Sequence, residues 1–257
     1  MRKDPPMIIL KSDFEIAEMK MSCQLAASTL DMIEKHVKPG ISTLELNDIC
    51  HDFIVSAGAI PAPLNYKGFP KSICTSVNEV VCHGIPNSKQ ILKDGDIINI
   101  DVTTILNGYH GDTSKTFLVG SNVSLEKRKL VDVTRDCLNA GISAVSPGCR
   151  LGDIGYAIES LANSCGYSVV KDFVGHGIGR GFHEDPQISH VGQKGKGIRL
   201  DPGMVFTIEP MINAGDWRIK ILKDGWTAIT LDHSISAQFE HTIAIKSDWT
   251  VEILTQK

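Results

Sequence analysis

Apolar residues recur at helical spacing in four segments of the chain. Two of these segments begin with the pattern Ser-x-x-Glu, at residues 12–15 and 42–45, in which the two side chains satisfy the first backbone N–H groups of a helix. The spacing predicts helices over residues 12–37, 42–58, 124–145 and 151–165. Each is followed by a Gly or a Pro-Gly pair, which stops a helix.

Runs of β-branched and apolar residues predict strands between and after these helices. The segments are 72–81, a hairpin over 97–113, the pair 217–222 and 226–231 around Asp224-Gly225, and a last strand over 234–245. Residues 60–69 are rich in Pro and Gly and should form a loop. Helices mixed with hairpin-forming strands indicate an α+β fold.

The hairpin has the clearest local signal, because Asn107-Gly108 suits the positive φ angles of a two-residue type I′ turn. That turn places Thr103 opposite Asp112 and Asp101 opposite Ser114, so both aspartates point to one face of the sheet. Diagonal neighbours in a sheet lie about 7–8 Å apart. Two like charges at this separation repel, and a bound cation is the simplest remedy. The alternative is one solvated and one hydrogen-bonded aspartate.

The two halves of the chain repeat at an offset of 108 residues. Pro39-Gly40 corresponds to Pro147-Gly148, Gly58 to Gly166, and Asp101 to Glu209. Because turn residues, apolar positions and a carboxylate all recur in one register, we infer an internal duplication. The prediction is a single catalytic domain over 1–257, with a short N-terminal extension of residues 1–11 and halves at 12–120 and 121–250. A pseudo-twofold axis would bring Asp101 and Glu209 together in a cleft.

The composition of the chain indicates which kinds of binding partner and which cellular compartment to expect. The chain has 257 residues, 42% of them hydrophobic, and a net charge of −4, which favours neither nucleic acid nor an anionic membrane as partner. Seven cysteines without a C-x-x-C pair indicate a reducing compartment, and no signal-peptide core or membrane span is visible. We therefore expect a cytoplasmic protein without membrane or direct nucleic-acid partners, and a monomer.

Four acidic residues lie in segments that are otherwise apolar or β-branched: Asp101, Asp112, Glu209 and Glu240. Glu209 follows residues 205–208, which the repeat aligns with residues 97–100 of the hairpin and so predicts to be a strand. Any one of them could be a structural carboxylate, but four in one cleft would repel strongly unless cations lay between them. Two divalent ions would balance their charge, and paired metals are a recurrent hydrolytic arrangement.

Three histidines are candidates for the same cleft: His83, His176 and His183. His176 and His183 lie in a glycine-rich segment that does not have G-x-G-x-x-G spacing and is followed by Asp185-Pro186, so it does not fit a dinucleotide-binding loop. We expect structural roles for five other histidines: His36, His51, His110, His190 and His233.

Over residues 10 to 252 the chain resembles the type I methionine aminopeptidases. The matching stretches are residues 82–86 (CHGIP), 99–102 (NIDV), 111–114 (GDTS), 175–179 (GHGIG), 182–184 (FHE), 206–210 (FTIEP) and 238–242 (QFEHT). The resemblance implies the pita-bread fold of the creatinases and aminopeptidases, with two pseudo-twofold-related α/β halves, antiparallel sheets and outer helices.

The resemblance also implies five ligands for two divalent metal ions, which would be Mn, Fe, Co or Zn. They are Asp101, Asp112, His176, Glu209 and Glu240, with Asp112 and Glu240 bridging the ions. A metal-bridged hydroxide would attack the first peptide bond, Glu209 would act as proton acceptor, and His83 and His183 would contact the substrate. The implied methionine pocket is lined by Tyr66, Phe69, Cys74, His83, Phe182 and Trp226.

Two pocket positions depart from the bacterial pattern, with Pro63 in place of Cys and Phe69 in place of Tyr. The family's monovalent-cation site, made of backbone carbonyls, maps to Asn78, Val80 and Ser236.

The implied activity is removal of the initiator methionine from the N-terminal peptides of nascent proteins, near the ribosome, when the second residue is small. One alternative is an Xaa-Pro aminopeptidase or prolidase, which shares the fold and the ligand set but usually has a further N-terminal domain. The other is a non-catalytic pita-bread protein that binds ribosomes or nucleic acid. Such proteins have lost ligands that are all present here.

Overall fold

The computed structural model describes residues 7–256; residues 1–6 of the predicted N-terminal extension and residue 257 lie outside it. The four helices are α1 (Asp13–Glu34), α2 (Thr43–Ser56), α3 (Leu125–Ser143) and α4 (Leu151–Ser164). All four lie within the predicted segments. Both predicted capping boxes are formed, at Ser12 for α1 and at Ser42 for α2.

Fifteen strands, most of them short, make up the β structure of the described residues. They are β1 (Ile60–Pro61), β2 (Cys74–Val77), β3 (Val80–Cys82), β4 (Ile97–Leu106), β5 (Tyr109–Leu118), β6 (Ser168–Val169), β7 (Gly175–Gly177), β8 (Glu184–Ile188), β9 (Val205–Ile208), β10 (Met211–Asn213), β11 (Ile219–Ile221), β12 (Ala228–Thr230), β13 (Ser236–Gln238), β14 (Glu240–Ile245) and β15 (Val251–Ile253).

A nine-stranded sheet forms the centre of the fold. Its order is β1-β4-β5-β14-β9-β7-β8, with β2 also paired to β4 and β15 to β14. Two three-stranded sheets flank it, with the orders β13-β10-β6 and β11-β12-β3. Neighbouring strands are antiparallel in the nine-stranded sheet and in both flanking sheets, as predicted.

The predicted hairpin register is confirmed. Asp101 lies opposite Ser114 and Thr103 lies opposite Asp112. Asn107 and Gly108 have φ angles of 53° and 77°, the positive values that a type I′ turn requires. The hairpin therefore places both aspartates on one face of the sheet.

Two predicted strands are each broken in two. The segment 72–81 is interrupted where Asn78 has a φ of 52°, and the segment 234–245 is interrupted at Phe239. In each case one part stays in the central sheet while the other, β3 or β13, pairs within a flanking sheet. Because the apolar pattern continues through each break, the sequence does not show that the two parts pair with strands of different sheets.

Loop boundaries also differ from the prediction. The predicted loop 60–69 contains β1 and a 3-10 turn, Tyr66–Gly68, and Pro61 is tolerated because β1 is an edge strand. Trp226, predicted within a strand, lies in the loop before β12.

Two separate hydrophobic clusters attach the helix pairs to the sheet. Helices α1 and α2 pack with the alternate residues Ile98, Ile100 and Val102 of β4. Helices α3 and α4 pack with Phe206 and Ile208 of β9. Because side chains alternate along a strand, Asp101 and Thr103 of β4 point away from the helices.

The seven cysteines are all free thiols. Among residues 7–256, no helix combines the length and the apolar character needed to cross a bilayer.

Candidate active site

A cavity of about 290 Å³ opens beside the central sheet. The resemblance assigned twelve residues to the metal site and the substrate pocket, and all of them line this cavity: Tyr66, Phe69, Cys74, His83, Asp101, Asp112, His176, Phe182, His183, Glu209, Trp226 and Glu240. Residues from both predicted halves of the chain therefore meet in one place.

Sheet register brings three of the carboxylates into one row. Ser114 of β5 lies opposite Asp101 of β4 on one side and Glu240 of β14 on the other. On the next strand, Ile208 lies opposite His241, so Glu209, directly after β9, lies beside Glu240. Residues in register on neighbouring strands share a face. The row therefore points Asp101, Glu240 and Glu209 into the cavity.

His176 of β7 completes this group. Its Nε2 atom lies 3.6 Å from Oδ2 of Asp112 and 3.7 Å from Oε1 of Glu209. Asp112, His176 and Glu240 each offer a ligand atom within 4.8 Å of the other two, and all three residues are buried. Burial lowers the pKa of His176 to about 4, so the imidazole is neutral and can bind a metal ion.

Burial raises the pKa values of all four carboxyl groups, and repulsion from neighbouring carboxylates adds to the shift in Asp112, Glu209 and Glu240. Burial raises the pKa of Asp101 to about 7, and burial together with the charge of Asp101 raises the pKa of Glu209 to about 8, although a hydrogen bond from Thr207 opposes the shift. The pKa values of Asp112 and Glu240 are also raised, by burial first and then by neighbouring carboxylates.

In the described part of the chain, no Lys or Arg forms an ion pair with any of the four. Four carboxyl groups in one cavity, of which Asp112 and Glu240 are buried, have no cationic side chain and lie beside a neutral imidazole. Such a donor set fits divalent metal ions.

Hydrogen bonds around the carboxylates hold them in place. Thr103 donates to Oδ1 of Asp112 at 2.7 Å. Thr207 donates to Oε1 of Glu209 at 2.8 Å and accepts the backbone N–H of His176 at 3.0 Å. Thr103 lies two residues from Asp101, and Thr207 lies two residues from Glu209. Because residues two apart on a strand point to the same face, this spacing could have predicted that both threonines face the site.

His190 also contacts the site, through the backbone. Its Nε2 atom accepts the N–H of Glu209 at 3.1 Å, and the side chain is fully enclosed. The predicted structural role of His190 therefore includes support for a candidate metal ligand.

A buried ion pair anchors the loop that carries His183. Lys11 Nζ lies 2.6 Å from Oε2 of Glu184, and the two side chains are 4% and 10% exposed. Glu184 also accepts the N–H of Gly181 at 2.8 Å. No sequence pattern predicted this contact, because its partners are 173 residues apart.

The two histidines expected to contact substrate come from different predicted halves of the chain. His83 follows β3 with a φ of 56°, and its ring packs edge-on against Phe173 at 5.2 Å. The His183 ring lies 4.2 Å from that of His176. Burial lowers the pKa of both imidazoles, that of His183 to about 3, so both are neutral at physiological pH.

Aromatic rings and a thiol form the apolar part of the cavity. The rings of Phe69 and Trp226 meet edge to face at 5.3 Å, and Cys74 is buried nearby at the register position opposite Asp101. Phe69 is 3% exposed and, unlike tyrosine, brings no hydroxyl into this wall. Aromatic and sulfur groups suit a thioether side chain.

Comparison with known proteins agrees with this geometry. Residues 17–247 match the profile of metallopeptidase family M24. Methionine aminopeptidase A of Synechocystis sp. is 60% identical over 248 residues, covering 96% of this chain and 97% of that protein.

Solved structures agree on the fold. Methionine aminopeptidase from Rickettsia prowazekii superposes with a TM-score of 0.95 at 55% identity, covering 97% of this chain and 100% of that one. Prolidase from Pyrococcus furiosus superposes with a TM-score of 0.76 at 20% identity, covering 97% of this chain and 66% of that one, and shows the fold alone. The predicted pita-bread fold is confirmed. The chain belongs to metallopeptidase family M24 and, within it, to the methionine aminopeptidases.

Proposed function

We propose that this methionine aminopeptidase removes the first methionine of newly made proteins when the second residue is small. The observation that carries the proposal is the cavity in which four carboxyl groups and the neutral imidazole of His176 adjoin an apolar wall. The carboxyl groups suit divalent cations, and the wall of Phe69, Cys74 and Trp226 suits a methionine side chain.

Five residues would hold two divalent ions. Asp112 and Glu240 would bridge them, Asp101 would bind one, and His176 with Glu209 would bind the other. Support comes from the short distances of His176 Nε2 to Asp112 and Glu209. When bound, such ions supply Lewis acidity that lowers the pKa of water to about 7. Carboxylate and imidazole ligands admit Mn, Fe, Co and Zn, between which the ligand set does not discriminate.

The protein's own side chains would move the protons. Glu209, held by Thr207 and 3.4 Å from Nε2 of Gln238, would accept a proton from the attacking water and pass it to the departing amine. His183 would donate a hydrogen bond to the carbonyl oxygen as negative charge develops there. His83 would hold the scissile amide nitrogen.

Crowding would set the specificity for the second residue. That residue must lie between the imidazoles and the carboxylates, where His183 and His176 are in ring contact and Phe182 packs 4.4 Å from the His183 ring. A small side chain fits this space, whereas a long one displaces the scissile bond from the reacting groups.

We further propose that the two halves, 12–120 and 121–250, arose by duplication within one catalytic domain. In support, each half contains two helices followed by a central strand, β4 or β9, with Asp101 in one and Glu209 at the end of the other. Each helix pair also packs in its own hydrophobic cluster.

A monovalent cation bound by the backbone carbonyls of Asn78, Val80 and Ser236 is also part of the proposal. Support comes from the adjacency of these segments, since the carbonyl of Asn78 accepts the N–H of Ser236 at 2.9 Å.

We place the protein in the cytoplasm as a monomer acting on nascent chains near the ribosome. The seven free thiols support a reducing compartment.

Peptide cleavage tests the proposed activity directly. With Mn²⁺ present, we expect methionine release from Met-Ala-Ser to be at least about tenfold faster than from Met-Lys-Ser, because the longer side chain cannot be accommodated. Chromatography of the products across a series of Mn, Fe, Co and Zn measures both rates. Preferential cleavage of Ala-Pro-Ser would favour a prolidase-type activity instead, and no cleavage with any metal would favour a binding protein.

A further inference from the structure

Tyr66 makes a contact with His183 that a role in lining the methionine pocket does not explain. The phenol oxygen lies 2.9 Å from Nδ1 of His183. The two rings stack at 5.3 Å with an angle of 20° between their planes, and the tyrosine ring also packs against Phe182 at 4.8 Å. The side chain of Tyr66 is thus held against the histidine by both its ring and its hydroxyl.

The backbone around Tyr66 is constrained to present it in this way. Asn65 and Lys67, on either side, have φ angles of 66° and 47°, a left-handed conformation that costs energy for residues other than glycine. The turn is closed by hydrogen bonds from Tyr66 N–H to the Pro63 carbonyl at 3.0 Å and from Phe69 N–H to the Tyr66 carbonyl at 2.9 Å.

A neutral imidazole has one N–H donor and one acceptor nitrogen, so the role of Nδ1 determines the role of Nε2. Nδ1 of His183 is occupied by Tyr66, which leaves Nε2 for the cavity that His183 lines together with Asp112, Glu209 and Glu240. Four carboxyl groups line that cavity, and the negative potential that they create favours an N–H over a lone pair at Nε2. The proton therefore belongs on Nε2, and the phenol donates its hydrogen to Nδ1.

We propose that Tyr66 is a positioning residue that holds His183 as the Nε2–H tautomer, with its donor turned toward the substrate carbonyl. The inference deepens the proposed function and rests on it, because it assumes that His183 stabilises the charge developing on that oxygen. A group behind a histidine that fixes its tautomer is a recurrent device in enzymes and metal sites.

The variant Tyr66→Phe tests the proposal because it keeps both ring contacts and removes only the hydroxyl. We expect kcat on Met-Ala-Ser to fall about tenfold while KM changes less than about twofold, since the lost hydrogen bond orients a donor used in the transition state. Tyr156→Phe is the matched control, because Tyr156 is 47% exposed on α4, and its kcat should equal that of the unaltered protein.

Imidazole nitrogen chemical shifts give a second readout that a loss of packing would not reproduce. In ¹⁵N-histidine-labelled, Zn-loaded protein, with the His183 signals assigned by their loss in His183→Gln, we expect the Nε2–H tautomer. In Tyr66→Phe we expect a mixture of both tautomers. An Nδ1–H tautomer in the unaltered protein, or an unchanged tautomer and kcat in Tyr66→Phe, would overturn the proposal. Failure of the unaltered protein to cleave Met-Ala-Ser would instead refute the proposed function, and the shifts would still report the contact.

Discussion

The variants Glu240→Gln and Asp112→Asn are expected to lose at least about 1,000-fold in kcat/KM on Met-Ala-Ser, because the metal-dependent stabilisation at stake is several kcal/mol. Each change keeps the shape of the side chain and removes the charge that the bridging role requires. Both residues are buried in the group that can hold a metal ion. We therefore also expect fewer than two metal ions per chain by atomic emission.

A test of folding accompanies this prediction. Without metal, Glu240→Gln should be at least as stable as the unaltered protein, because one of four mutually repelling carboxyl groups has gone. Asp52→Asn, on the exposed side of α2, is the control and should keep full activity and both ions. Full activity and two ions in Glu240→Gln would remove this residue from the bridge.

The second large effect concerns the protein after removal of metal with a chelator, whose stability should fall as the pH rises from 7 to 8.5. In the unfolded chain, Asp and Glu have lost their protons by pH 5. In the folded chain, Asp101 and Glu209 keep theirs up to pKa values of about 7 and 8. Until those groups ionise, the folded state holds protons that the unfolded state has released, so rising pH lowers the free energy of unfolding.

The size of this effect follows from those two groups. Over 1.5 pH units they lower the free energy of unfolding by about 2 kcal/mol, which corresponds to a fall of about 5 °C in Tm for a chain of this length. The measurement starts at pH 7 to avoid a contribution from histidines. Burial lowers the pKa values of His176 and His183 in the folded chain, so below about pH 6.5 these histidines are protonated mainly in the unfolded chain. In that range they make the free energy of unfolding rise with pH, which opposes the effect of the carboxyl groups.

Calorimetry with and without bound Mn²⁺ measures the difference. The Mn-loaded protein has the same titratable groups as the chelated protein and therefore serves as the control. Its Tm should not fall in the same way, because the bound cations neutralise the charge of the carboxylates. A chelated protein as stable at pH 8.5 as at pH 7 would mean that burial does not raise the pKa values of Asp101 and Glu209 in the folded state.

Local signals predicted those parts of the fold that depend on neighbours in the sequence. The capping serines Ser12 and Ser42 marked two helix starts to the residue. Asn107-Gly108 determined a hairpin register, and with it the face shared by Asp101 and Asp112. The 108-residue repeat and the acidic residues in predicted strands indicated Glu209 and Glu240. The resemblance then supplied the roles of the site residues and the apolar lining of the cavity.

Contacts between distant segments could not be predicted in this way. The break at Asn78 arises because β3 pairs with β12 rather than continuing β2, and the apolar pattern is the same for either partner. The Lys11 to Glu184 ion pair and the Tyr66 to His183 hydrogen bond join residues 173 and 117 positions apart. Such pairs leave no periodicity in one sequence, because only the folded chain brings them together.

Anomalous scattering from crystals grown with Mn²⁺ shows where metal ions bind. We expect two adjacent peaks between the carboxylates contributed by both halves of the chain, with Asp112 and Glu240 contacting both peaks and Asp101 and Glu209 on opposite sides. A single peak, or peaks outside the cavity, would contradict the claim that these residues together hold a pair of metal ions.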